Sequence, residues 1–160
     1  MPYESDAIAG KLNELVAADA LYMGLEEFNE LNAAERALIG TWELVNEVYN
    51  GGFMQYFHNS SRERAAPMVA VLRAIGAPRP AEILGSAIAL VGPGTPHGDA
   101  PNIIAALQSV PDNLRNKISS LEREFYDELD DLHVQLFRYL SRHREQIDVP
   151  EGFWTDGVPS

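Results

Sequence analysis

Six polar residues in one short stretch form the densest set of groups able to do chemistry: Glu43, Asn46, Glu47 and Asn50, continued by Gln55 and Asn59. On a helix the first four stand at i, i+3, i+4 and i+7 and share one face. The Gly51-Gly52 pair that follows breaks such a helix and lets Gln55 and Asn59 fold back toward that face. Amides and carboxylates gathered in this way offer paired donors and acceptors, which suits recognition of a small polar ligand. Amides are poor acids, bases and nucleophiles, so the set favours binding over turnover. The same amides would equally satisfy backbone groups freed where the helix breaks, and both readings stand at this point.

The second set is acidic. Glu122, Glu124, Asp127, Glu128, Asp130 and Asp131 crowd one segment, and Glu26, Glu27, Glu30 and Glu35 another. On a straight helix Glu124, Glu128 and Asp131 would follow one side with rises of about 6 and 4.5 Å. A DNA strand presents a phosphate about every 3.4 Å along its axis, so several acidic faces must combine to imitate a duplex. The formal charge of −12 is uneven. Residues 1–60 carry ten acids against two bases, 61–118 four against six, and 119–160 ten against four, giving −8, +2 and −6. Such a field attracts a basic protein surface and disfavours direct contact with nucleic acid. The plainer alternative is acidity that serves solubility alone.

Other chemistries find less support. The chain has no cysteine, which removes disulfides, thiolate nucleophiles, iron–sulfur clusters and cysteine zinc sites. Of His58, His97, His133 and His143, none pairs with another at i, i+3 or i, i+4. Asp130-x-x-His133 is half of a di-metal carboxylate site whose second half is missing. Gly92-Pro93-Gly94 lacks the Gly-Lys-Ser/Thr of a phosphate loop. Ser60 and Ser61 lie near His58, but nothing supplies the orienting acid of a triad. No catalytic residue, metal ligand or cofactor is assigned.

The elements that must position these groups read as helices throughout, in one all-α compact domain of about six to seven helices ending in a long one. The first helix runs from Asp6 to Tyr22 with Ile8, Leu12, Leu15, Val16 and Leu21 near a 3.6 period. Asn32-Ala33-Ala34-Glu35 has the form of a capping box that opens a second helix. Leu38, Trp42, Val45 and Tyr49 form the apolar stripe of that helix, and Gly51 is expected as its left-handed cap. Phe53–Ser61 is too aromatic for a solvated loop and reads as a short helical turn pinned into the core.

Ala65–Ile75 and Ala81–Val91 make a helical hairpin around Gly76-Ala77-Pro78-Arg79-Pro80. A loop rich in glycine and proline follows over 92–99, and the chain turns helical again from Asn102 until Pro111. From Asp112 the residues Leu121, Phe125, Leu129, Leu132, Leu136, Leu140 and Ile147 describe one continuous stripe, with a kink expected near Ser119-Ser120. Phe153 and Trp154 should tack the irregular tail, residues 149–160, onto the helices. The N-terminus has no leader-like pattern and no run reaches the ~18 apolar residues of a membrane span, so a cytoplasmic location and no membrane partner are expected.

The stretch Glu47-Val48-Tyr49-Asn50-Gly51-Gly52-Phe53-Met54-Gln55-Tyr56-Phe57-His58-Asn59-Ser60 resembles the Glu-Val-x-Asn-Gly-Gly-Phe-x-Gln-Phe/Tyr-Phe-x-Asn-Ser signature of a bacterial family named for a DNA-mimic protein. The resemblance extends through Leu72–Gly76, Ala81–Leu84 and Leu121-Glu122-Arg123-Glu124-Phe125-Tyr126. It implies an all-helical, self-associating protein whose carboxylates face a basic DNA-binding protein. Arg62, Arg64, Arg73 and Arg79 make the middle of this chain locally basic, a departure from a wholly duplex-like surface. The leading expectation is therefore a non-enzymatic acidic protein acting through Glu26, Glu27, Glu30, Glu35 and the Glu122–Asp131 cluster. The alternative is a small-ligand-binding protein or enzyme built on the Glu43–Asn59 polar set.

Overall fold

The N-terminus of the second helix shows how local chemistry begins this fold. The Asn32 side chain accepts from the Glu35 N–H at 2.9 Å, and Glu35 Oε1 accepts from the Asn32 N–H at 3.0 Å. This is the reciprocal capping box its spacing predicts. Gln146 completes it from far along the chain, its Oε1 accepting from the Ala34 N–H at 3.1 Å while its carbonyl accepts from Asn32 Nδ2 at 2.9 Å. Asn32→Ala removes two of these bonds and should lower stability by about 1 kcal/mol in chemical denaturation. An unchanged midpoint would show that Gln146 alone suffices as the cap.

The computed structural model describes residues 7–16, 30–58, 62–91, 110–147 and 153–154. Six helices make up the described part: α1 over 7–16, α2 Ala33–His58, α3 Arg62–Ala74, α4 Pro78–Val91, α5 Asp112–Asp127 and α6 Leu129–Arg142. A 3₁₀ turn, Arg144–Gln146, follows, and no strand occurs among the described residues. The protein is one all-α domain, as its periodicity implies. The expected Gly/Pro loop at 92–99, the helix from Asn102 and the end of the first helix beyond Val16 lie outside the described residues.

Helix α2 is the centre of the domain, packing on α3, α5, α6 and the 3₁₀ turn. Its core face carries Leu38, Leu44 and Val48, each fully buried. The expected stripe is thereby corrected: Leu38 belongs to the core, but Trp42 and Tyr49 are 41% and 73% exposed and Val45 is only partly covered. More apolar residues lie on α2 than one face can hold, and a 3.6 period alone does not choose between two overlapping stripes.

Helices α3 and α4 form the expected hairpin. Gly76, with φ of 87°, closes α3 while its N–H donates to the Arg73 carbonyl at 3.1 Å and the Ala77 N–H donates to Leu72 at 2.9 Å. Those two bonds are the Schellman arrangement, and Pro78 then opens α4 at a position where no N–H is needed. Helix α4 packs in turn on α5.

The long C-terminal stripe is real, with Phe125, Leu132, Leu136, Leu140 and Ile147 buried, but it is carried by two helices. The break is at Glu128 and not near Ser119-Ser120, which lie inside α5. Glu128 has φ −94° and ψ −5°, and its N–H reaches back three residues to Phe125 at 3.0 Å. That tightened turn ends one helix and begins the next without glycine or proline. Near the C-terminus, Trp154 packs on Phe137 at 5.5 Å between ring centroids, and Lys11 lies 4.8 Å over the Phe153 ring while donating to the Phe153 carbonyl. The two rings hold this stretch against α1 and α6.

Candidate functional site

The glycine pair in α2 is where the local sequence and the far end of the chain meet. Gly51 has φ −157° and ψ 15°, and Gly52 has φ 77° and ψ −175°. The positive-φ residue is thus Gly52 and not Gly51, which corrects the expected cap. The helix resumes at once, so the break costs it the bonds across one turn and leaves a carbonyl and an N–H to be satisfied.

Helix α5 satisfies both. The Phe53 N–H donates to Glu122 Oε1 at 2.9 Å, and Tyr126 Oη donates to the Val48 carbonyl, the helical partner of the Gly52 N–H, at 2.9 Å. Glu122 and Tyr126 stand at i and i+4, one turn apart on the same face of α5. Burial raises the Glu122 pKa and the Phe53 N–H partly offsets that. Burial, and then the neighbouring charges of Glu122 and Tyr49, push the Tyr126 phenol up, keeping it a donor. Beneath these bonds Phe53 and Phe125 meet edge to face at 5.6 Å.

The polar set of α2 is placed in several ways. Gln55 Nε2 donates to Glu47 Oε2 at 2.9 Å, bridging the break. Asn46 lines a groove between α1, α2 and α6, Asn50 is exposed, Glu43 is half-buried, and Asn59 lies outside the described residues.

The acidic set divides as well. Glu35 is held in the capping box and Glu122 faces the α2 break. Glu124 pairs with Arg79 at 3.1 Å, and Arg79 also meets Glu82 at 3.3 Å, so this arginine of the basic middle sits among carboxylates. Asp127, Asp130 and Asp131 are exposed around the α5–α6 break, with Glu128 half-buried at its apex. Because the helix is interrupted there, the rises expected for one straight helix do not apply between Glu124 and Asp131. Glu30 is exposed, while Glu26 and Glu27 lie outside the described residues.

A family model described as DMP19-like protein matches residues 29–143, most of the chain. The chain belongs to the DMP19-like family. No curated protein and no solved structure matches it significantly. The DMP19-like region takes in the capping box, the double-glycine break, the α3–α4 hairpin and both helices that carry the acidic cluster. Among the described residues no helix is long and apolar enough to cross a membrane.

Sequence reasoning missed Tyr126 as a partner of the break and the groove that Trp42, Tyr49 and His133 share. A signal for the first was present: a broken helix needs an acceptor and a donor from elsewhere, and the Leu-Glu-x-x-Phe-Tyr segment supplies one of each a turn apart.

Proposed function

We propose that this protein is a non-enzymatic acidic binding protein that occupies the basic, DNA-facing surface of a DNA-binding regulator. The observation that carries the reading is the group of exposed carboxylates, Asp127, Asp130 and Asp131 with Glu124 beside them, spread around the α5–α6 break. Membership of a family named for a DNA mimic supports it, as does the net charge of −12. The interruption at Glu128 divides these groups between two helices, so the negative charge is not confined to a single file. Self-association, the family expectation, would extend that array across two copies.

The reading makes Glu35 and Glu122 structural and leaves the other carboxylates as phosphate surrogates. A partner captured from the source cell and eluted by rising salt should be displaced by duplex DNA, because both ligands claim one surface. Exposed charges are screened beyond ~8 Å at physiological ionic strength, so affinity should fall steeply with salt. Changing Glu124, Asp127, Glu128 and Asp131 to their amides should weaken binding by about tenfold or more at low salt and flatten the salt dependence. A partner whose affinity ignores both salt and these four carboxylates would exclude DNA mimicry.

A further inference from the structure

We propose that the groove between α1, α2 and α6 binds a small, uncharged aromatic molecule that carries one hydrogen-bonding group. The inference rests on the lining of the groove and not on the acidic surface, whose nearest member, Asp130, adjoins the groove at Leu129 and His133.

The groove encloses about 290 Å³. That is near the lower end of ligand pockets and holds roughly ten heavy atoms. Its walls include Leu12 of α1, Val45 of α2 and Leu136 of α6. In a chain of net charge −12, not one of its lining residues is Asp, Glu, Lys or Arg. A charged ligand would therefore lose its water without gaining a counter-ion from the lining, which favours a neutral one.

Two rings stand at the groove seven residues apart on α2. Trp42 is 41% and Tyr49 73% exposed, whereas the aromatic residues beyond the break, Phe53, Tyr56 and Phe57, are buried. Rings left at the wall of an apolar groove offer faces and edges to a planar guest.

The polar requirement comes from Thr41. It lines the groove, is 1% exposed, and its hydroxyl has no hydrogen-bond partner. Buried hydroxyls are paired in nearly all proteins, because an unpaired one has given up water for nothing. A guest with one donor or acceptor at its inner end supplies the missing bond once the Thr41 hydroxyl, itself buried, turns toward the groove. His133, on the opposite wall, adds a second polar group; burial lowers its pKa, with the Asp130 charge acting against that. The imidazole is accordingly neutral at pH 7 and leaves the groove without charge.

The test is a titration of the full ¹⁵N-labelled chain with p-cresol and toluene as neutral probes and benzoate and benzylammonium as charged ones of similar size. The two indole N–H signals separate Trp42, in the groove, from Trp154, which is packed on Phe137. Saturable movement of the Trp42 signal with p-cresol is expected, with both charged probes at least about tenfold weaker. Thr41→Val keeps the side-chain shape and removes the hydroxyl, so it should weaken p-cresol several-fold and leave toluene unchanged. Ala9→Phe places a ring in the groove from α1 and should abolish saturation by both. If that variant fails to fold, the Thr41→Val comparison decides, since losing an unpaired buried hydroxyl should not lower the melting temperature. Three outcomes would overturn the proposal: no saturation by either neutral probe, equal binding of a charged one, or a Trp42 signal that follows protein concentration alone. The last would give the groove to a second copy of the chain.

Discussion

Gly52→Ala should destabilise the protein by roughly 3–5 kcal/mol, from backbone strain plus a displaced hydrogen bond. With φ 77° and ψ −175°, Gly52 holds a conformation essentially closed to residues with a Cβ. The added carbon would also stand 2.7 Å from the Glu122 carboxyl carbon. Glu122 would have to leave, and the Phe53 N–H would lose its acceptor. For a chain of this size the loss corresponds to a fall in Tm of about 10 °C or more. Gly85→Ala is the matched control, since it lies inside α4 and its Cβ would meet nothing within 4 Å. That change should stabilise by up to about 1 kcal/mol through helix propensity. Equal effects at the two glycines would mean that the break owes nothing to the left-handed residue.

Phe125→Ala should cost about 3–5 kcal/mol, the range for emptying a ring from a packed core. Phe125 is fully buried, and its ring meets Phe53 edge to face at 5.6 Å. The neighbouring change Tyr126→Phe keeps the ring, 39% of that residue being exposed, and removes only the bond to Val48, so it should cost about 1 kcal/mol. Chemical denaturation of the two variants side by side checks the assignment. A loss under about 1 kcal/mol for Phe125→Ala would place that ring outside the core. A double-mutant cycle with Phe53→Ala should return a coupling of about 0.5–1.5 kcal/mol from the edge-to-face pair.

The parts of this fold that could be read from the sequence are those whose physics is local. Asn32 and Glu35 satisfy each other three residues apart, and Gly76 with Pro78 punctuates the hairpin within one turn, so neither needs knowledge of the rest of the chain. The stripe from Leu121 to Ile147 was likewise visible, because burial repeats at helical spacing. Its interruption was not, since Glu128 tightens the turn through a backbone bond that no residue type announces. The glycine pair marked the break but not which glycine bears the positive φ; that choice follows from the direction in which Glu122 approaches. Trp42 and Tyr49 fitted the period of a core face as well as Leu44 and Val48 do, and only the packing partners of α2 separate the two.

The candidate site was legible in part. The sequence located the acidic cluster but did not distinguish carboxylates that look outward from Glu122, which turns inward to an N–H on another helix. The polar set of α2 was also located, and its Glu47–Gln55 pair serves the helix that carries it. The groove was invisible because its walls come from three helices, and its most telling group, the Thr41 hydroxyl, is an unremarkable threonine until its surroundings are known.

The α2 break also sets an order of events during folding. Its two bonds join residues 69 and 78 positions apart, and the cap at the start of the same helix reaches Gln146 across 114. The central helix therefore cannot be completed at its middle or its beginning until the last third of the chain has been made and has docked. Loop closure over such separations must be met before these contacts return any energy, which slows folding relative to bundles built from adjacent hairpins. On the ribosome, the α3–α4 hairpin is able to form from its own neighbours. The bonds at the α2 break and the Gln146 contact at its start can only follow it, so the native state is completed late.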